Sequence, residues 1–94
     1  MTLSIYMKIS NLKREKISEQ ILAFLYSKSP QSLYTSYIAR ELARDEEFIK
    51  NLLLSLNKKE LIIKINKNSK GKSYKRRIRW RLSDKAYNAY KNNQ

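Results

Sequence analysis

The chain has 94 residues, enough for one small domain and too few for two. It carries 21 Lys and Arg against 8 Asp and Glu, with no histidine and no cysteine, for a formal net charge of +13. Disulfides and thiolate chemistry are excluded, the commonest general base and metal ligand is missing, and the charge calls for a polyanionic partner.

Residues 1–10 read as an N-terminal arm or short strand, because Leu3, Ile5, Met7 and Ile9 alternate with polar positions. From Asn11 the period changes. Ile17, Ile21, Phe24 and Leu25 follow helical spacing, which predicts a first helix over 12–28 with Ser10 or Asn11 as its cap. Pro30 stops it. The longest unbroken apolar run, Ile21 to Tyr26, is far too short to cross a bilayer, and no signal-peptide pattern precedes it. A cytoplasmic protein without a membrane partner is expected.

Residues 31–34 read as extended, with Leu33 or Tyr34 turned inward. Thr35 is expected to cap a short second helix with the apolar stripe Ile38, Ala39 and Leu42, ending near Ala43. Asp45 is expected to cap a third helix. Glu46 and Glu47 suit its positive end, and Ile49, Leu52, Leu53 and Leu56 give it an inner face. It should end near Lys59.

Two alternating runs follow. Leu61, Ile63 and Ile65 form one, and Tyr74, Arg76, Ile78, Trp80 and Leu82 the other. Between them lies a stretch rich in Asn, Ser and Lys with the chain's only glycine, Gly71. That pattern predicts a β-hairpin. In its second strand Ile78, Trp80 and Leu82 share one face, while Lys75, Arg77, Arg79 and Arg81 share the other. Ser83 should cap a last helix carrying Ala86, Tyr87, Ala89 and Tyr90, and 91–94 reads as a disordered tail. From Leu61 to Ser83 there is no acid and there are nine basic residues, five of them within Lys75–Arg81. Charge concentrated in this way, beside the return strand of a hairpin, is what a phosphate-contacting surface needs.

The order of elements and three stretches resemble the winged helix-turn-helix family. Ile38 to Ile49 is similar to L-A-x-x-L-x-x-S/D-x-x-x-V. Phe48 to Ile62 is similar to T-V-x-x-L-V-x-x-L-E-K-K-G-L-V. Arg81 to Ala86 is similar to the x-L-T-x-K-G that follows the wing. These are traits of small bacterial and archaeal regulators of the MarR and PadR types. The resemblance implies an α+β winged helix-turn-helix, with a three-helix core, a C-terminal β-hairpin wing and a short final helix, in one domain over 11–90. Glu60 stands where glycine is usual, so a local difference in that turn is expected. Ala43 also replaces a common glycine, and Arg44 an apolar residue.

The same resemblance implies a homodimer on double-stranded DNA, without enzymatic activity or cofactor, and names no effector. The third helix would present Glu47, Phe48, Lys50, Asn51 and Leu54 to the major groove, and Thr35, Ser36 and Tyr37 would flank it at the start of the second helix. Lys67, Lys70, Lys72, Lys75, Arg76, Arg77, Arg79 and Arg81 would supply the wing's phosphate or minor-groove contacts. Ile17, Tyr87 and Tyr90 would lie at the dimer interface, and no residues suggest a metal site. Glu46 and Glu47 either accept from cytosine amino groups or simply stabilise the helix dipole. The acidic start of this helix keeps a second reading open, a sequence-tolerant, chromatin-like architectural DNA binder; as a DNA binder the cytoplasmic protein is expected to be nucleoid-associated. An RNA- or protein-binding winged helix is the third.

Overall fold

A computed structural model describes residues 2–66 and 78–92. Its elements are α1 (Thr2–Lys28), β1 (Leu33–Tyr34), α2 (Thr35–Glu41), α3 (Glu46–Lys58), β2 (Ile62–Ile65), β3 (Arg79–Leu82) and α4 (Asp84–Asn92). The expected order of helices, hairpin strands and final helix is present. One strand was not foreseen, since β1 joins the hairpin strands in an antiparallel sheet of order β1-β3-β2.

The N-terminal expectation is corrected. Residues 2–10 are neither arm nor strand but the first turns of α1, and Ser10 and Asn11 lie inside the helix rather than at its cap. The alternation of Leu3, Ile5, Met7 and Ile9 also contains the i, i+4 pairs Leu3/Met7 and Ile5/Ile9. No Gly or Pro separates it from the helix that follows, so the helical period wins. At the other end, Lys91 and Asn92 belong to α4 rather than to a loose tail.

One core holds the layers together. Ile17, Ile21, Leu22 and Leu25 of α1 meet Ile38 and Ala39 of α2, the Ile49, Leu52, Leu53 and Leu56 face of α3, Ile62, Trp80 and Leu82 of the sheet, and Ala86 of α4. Leu33 is the inward residue of β1, and Tyr34 points out.

Both helix-turn joints close in the same way. At the end of α2, Ala43 N–H donates to Arg40 C=O and Arg44 N–H to Ala39 C=O. At the end of α3, Glu60 N–H donates to Asn57 C=O and Leu61 N–H to Leu56 C=O. These are Schellman closures, which place the residue after the C-cap in the left-handed region. Ala43 has φ 54° and Glu60 has φ 62°. The turn at Glu60 therefore keeps the left-handed geometry that glycine normally supplies. Hydrogen bonding of the helix end outweighs the steric cost at Cβ.

That closure also explains a shift in β2. The sequence suggested Leu61, Ile63 and Ile65 as one apolar face. Leu61 instead terminates α3 against the core, and the inward residue of the strand is Ile62, opposite Leu82. Ile63 and Ile65 lie on the other side, opposite Arg81 and Arg79.

Candidate nucleic-acid interface

The α3 helix is built as expected. The Asp45 carboxylate accepts from Phe48 N–H at 3.1 Å, satisfying an open donor of the first turn. Glu46 and Glu47 complement the same end. With Ile49, Leu52, Leu53 and Leu56 buried, the opposite face carries Glu47, Lys50, Asn51 and Leu54, all exposed. Their i, i+3, i+4, i+7 spacing puts them on one line along the helix. Leu54 is 38% exposed, so it is a surface residue and not part of the core.

Phe48 does not join that line. It is half-buried against the core, with the Arg14 guanidinium 5.8 Å from its ring centre. Lys13 and Arg14 of α1, together with Arg44, Asp45 and Phe48, line a hollow beside the start of α3. Sequence reasoning did not select Lys13, Arg14 or Arg44. Basic residues on a helix surface give no local signal, and their meeting depends on how α1 crosses α3.

At the start of α2 the candidates separate. Thr35 does not cap the helix: Tyr34 occupies the cap position and makes no side-chain cap bond. The Thr35 hydroxyl accepts from Trp80 Nε1 at 2.8 Å. Tyr37 is half-buried, its ring centre 6.0 Å from that of Phe24 and 5.8 Å from the Arg40 guanidinium. Ser36 alone of the three is exposed.

Trp80 is fully buried and Ile78 packs against the core, as their alternation implied. Arg79 and Arg81 project to the opposite side and are half-buried. Arg81 is also occupied locally. It donates to the Leu82 carbonyl at 3.1 Å and lies 3.9 Å from the Asp84 carboxylate, an exposed and weak pair. Lys67, Lys70, Lys72, Lys75, Arg76 and Arg77 lie outside the described residues.

The expected dimer residues are used within the chain. Ile17 is 2% exposed in the isolated protein and belongs to its core, which corrects its assignment to an interface. Its place in the helical stripe marks it as buried, but spacing does not say whether by its own chain or by another. Tyr87 and Tyr90 dock α4 on α1. Both ring centres lie 5.4 Å from that of Tyr26, Tyr90 in a stacked arrangement. Tyr90 Oη donates to the Glu19 carboxylate at 3.3 Å. Burial first, then the Glu19 charge and this hydrogen bond, hold the Tyr90 phenol above its ordinary pKa. Both tyrosines remain half-exposed.

Among the described residues no group of acidic side chains could hold a metal ion, and no helix is long and apolar enough to cross a membrane.

No family model matches the chain, and no curated protein is similar to it. Solved structures are. A MepR variant from S. aureus superposes with a TM-score of 0.65 at 22% identity, covering 97% of this chain and 67% of that one. The S. aureus MepR–DNA complex gives a TM-score of 0.61 at 23% identity, covering 97% and 77%. Lactococcus lactis ZitR, as a double mutant in apo form, gives 0.61 at 20% identity, covering 98% and 67%. The chain thus spans about two thirds to three quarters of the length of these solved proteins. Element order, sheet topology and these superpositions agree on one conclusion: the chain has the α+β winged helix-turn-helix fold.

Proposed function

We propose that the chain is a non-catalytic, double-stranded DNA-binding transcription regulator that uses α3 in the major groove and the basic wing on phosphates or the minor groove. The observation that carries this reading is the division of α3. Four residues fix it to the core, and Glu47, Lys50, Asn51 and Leu54 stand in line on the open face. Asparagine pairs bidentately with adenine, lysine reaches guanine acceptors, glutamate accepts from cytosine, and leucine suits a thymine methyl. Ser36 and Arg79 supply flanking polar and cationic contacts. A net charge of +13 favours the polyanion. The solved MepR–DNA complex, similar in fold over 97% of this chain, supports it.

The protein acts as a homodimer on a pseudo-palindrome, with half-sites separated by about 34 Å. The exposed parts of Tyr87 and Tyr90 are available to such a contact; Ile17 is not. In the cell it is cytoplasmic and associated with the nucleoid.

Selection of bound duplexes from a random pool at physiological salt tests this. A palindromic motif is expected. A pool that never converges would support the second reading, a sequence-tolerant architectural binder, which the acidic first turn of α3 favours by repelling phosphates there.

A further inference from the structure

The sheet has an open face. Residues directly opposite one another across an antiparallel pair project to the same side. Leu33, Trp80 and Lys64 form one rung, and Tyr34, Arg79 and Ile65 form the next. Arg81 and Ile63 continue the second side. Leu33 and Trp80 are buried in the core, so the second side faces away from it. There Tyr34 is 41% exposed, and its Arg and Ile neighbours are half-exposed. One surface therefore presents an aromatic ring, guanidinium groups and aliphatic side chains together.

A duplex presents phosphates and groove edges, with its base faces stacked out of reach. It would engage the arginines and leave the ring and the isoleucines unused. An acidic peptide would meet the arginines but has no flat face to set on the ring. A single strand offers phosphates and unstacked base faces side by side, which is what an aromatic platform flanked by cations recognises. We propose that the outer sheet face centred on Tyr34, Arg79 and Ile65 is a binding site for single-stranded nucleic acid, separate from the open face of α3. The charge of the chain selects a polyanion; the ring and the aliphatic groups select an unpaired one. This site does not depend on the duplex reading of α3.

The test is fluorescence anisotropy with labelled thymidine and uridine oligomers of about ten nucleotides, with a labelled duplex in parallel. The protein is expected to bind at least one oligomer. Tyr34→Ala should weaken that binding by about fivefold or more, Ile65→Thr should weaken it too, and Tyr34→Phe should not. Duplex affinity should be the same in all three variants. Preference between the two oligomers identifies DNA or RNA as the strand. An unaltered protein that binds neither oligomer overturns the proposal, as does an unchanged Tyr34→Ala. Equal losses on oligomer and duplex also overturn it, placing Tyr34 on the duplex surface instead. Oligomer binding without duplex binding would leave this site standing and remove the proposed role of α3.

Discussion

Trp80 Nε1 donates a 2.8 Å hydrogen bond to Thr35 Oγ1, tying the middle of β3 to the first residue of α2. The partners are 45 positions apart in sequence. Trp80 is fully buried, so its indole N–H has no access to water and depends on this acceptor. Leu33, opposite Trp80 in the sheet, ends up beside the same joint. The bond therefore sets where the sheet meets the helix-turn-helix. Thr35→Val keeps the shape and removes the acceptor, and is expected to destabilise the protein by about 1–3 kcal/mol. Thr35→Ser should retain most of the stability. Thermal denaturation of the two variants distinguishes this role from direct DNA contact, which would leave the melting temperature unmoved.

The two left-handed residues give a prediction of opposite sign. Ala43 and Glu60 hold positive φ to close α2 and α3. A Cβ in that region is unfavourable by roughly 1–2 kcal/mol, partly offset by the greater chain entropy of glycine in the unfolded state. Glu60→Gly and Ala43→Gly are each expected to stabilise by up to about 1 kcal/mol, which for a domain of this size raises Tm by about 4–8 °C. A lowered Tm in both would mean that these turns do not close as described.

Helix α3 was legible because every signal for it is local: the apolar spacing of Ile49, Leu52, Leu53 and Leu56, the cap at Asp45, and the acids behind it. The outward line from Glu47 to Leu54 followed from the same spacing. The face of β2 was not legible, because Leu61, Ile62 and Ile63 are consecutive apolar residues and either register satisfies them. What decides between them is the closure of α3, which takes Leu61 out of the strand. Thr35 resembles a helix cap in every local respect, and only the buried indole reassigns its hydroxyl. Phe48 was placed on the open face by position in a family pattern, whereas Arg14 and α1 draw it inward. Contacts made across tens of residues carry no short-range pattern, which is why Thr35 and Phe48 were misplaced; the face of β2 and the start of α1 were missed because two local patterns competed there.

Ile17 separates core from interface. Truncation to Ile17→Ala removes buried methyl groups from the centre of α1 and is expected to lower stability by about 2–5 kcal/mol. Denaturant unfolding should report this as a shifted midpoint at every protein concentration. If Ile17 instead belonged to the interface, the concentration-dependent midpoint of a dimeric parent would give way in Ile17→Ala to the concentration-independent midpoint of an otherwise unchanged monomer.

Tyr90 makes the docking of α4 depend on alkaline pH. Its phenol is held above the ordinary value of 10.0, first by burial, then by the Glu19 charge and hydrogen bond. The native state therefore keeps this proton at a pH where the unfolded chain begins to lose it. The contribution of the group is fully present below about pH 10 and is lost as pH rises through its raised pKa in the folded protein. Comparison with Tyr90→Phe, which lacks only the hydroxyl, isolates this contribution. The stability difference between parent and Tyr90→Phe is expected to be flat from pH 7 to 9 and to move in favour of the variant above about pH 10. A difference that does not change with pH would show that the Tyr90 hydroxyl carries none of the contact between α4 and α1.

Asn51 and Arg79 should fail in different ways if α3 reads bases while the wing holds phosphates. Asn51 is exposed on the open line of α3 and Arg79 is half-exposed on the sheet. Asn51→Ala is expected to lower affinity for the selected duplex by about 1–3 kcal/mol and to relax preference at one base pair, with the salt dependence unchanged. Arg79→Gln should weaken binding to all duplexes alike and reduce the slope of log affinity against log salt by about 0.9. Titrations of each variant at several salt concentrations, on the selected duplex and on a scrambled one, measure both quantities. A uniform loss in Asn51→Ala with no change in preference would place base reading elsewhere and leave the wing as the main source of affinity. That outcome would move the protein from specific regulator to sequence-tolerant coater without altering anything in its fold, because the surface lost would be the one turned away from the core.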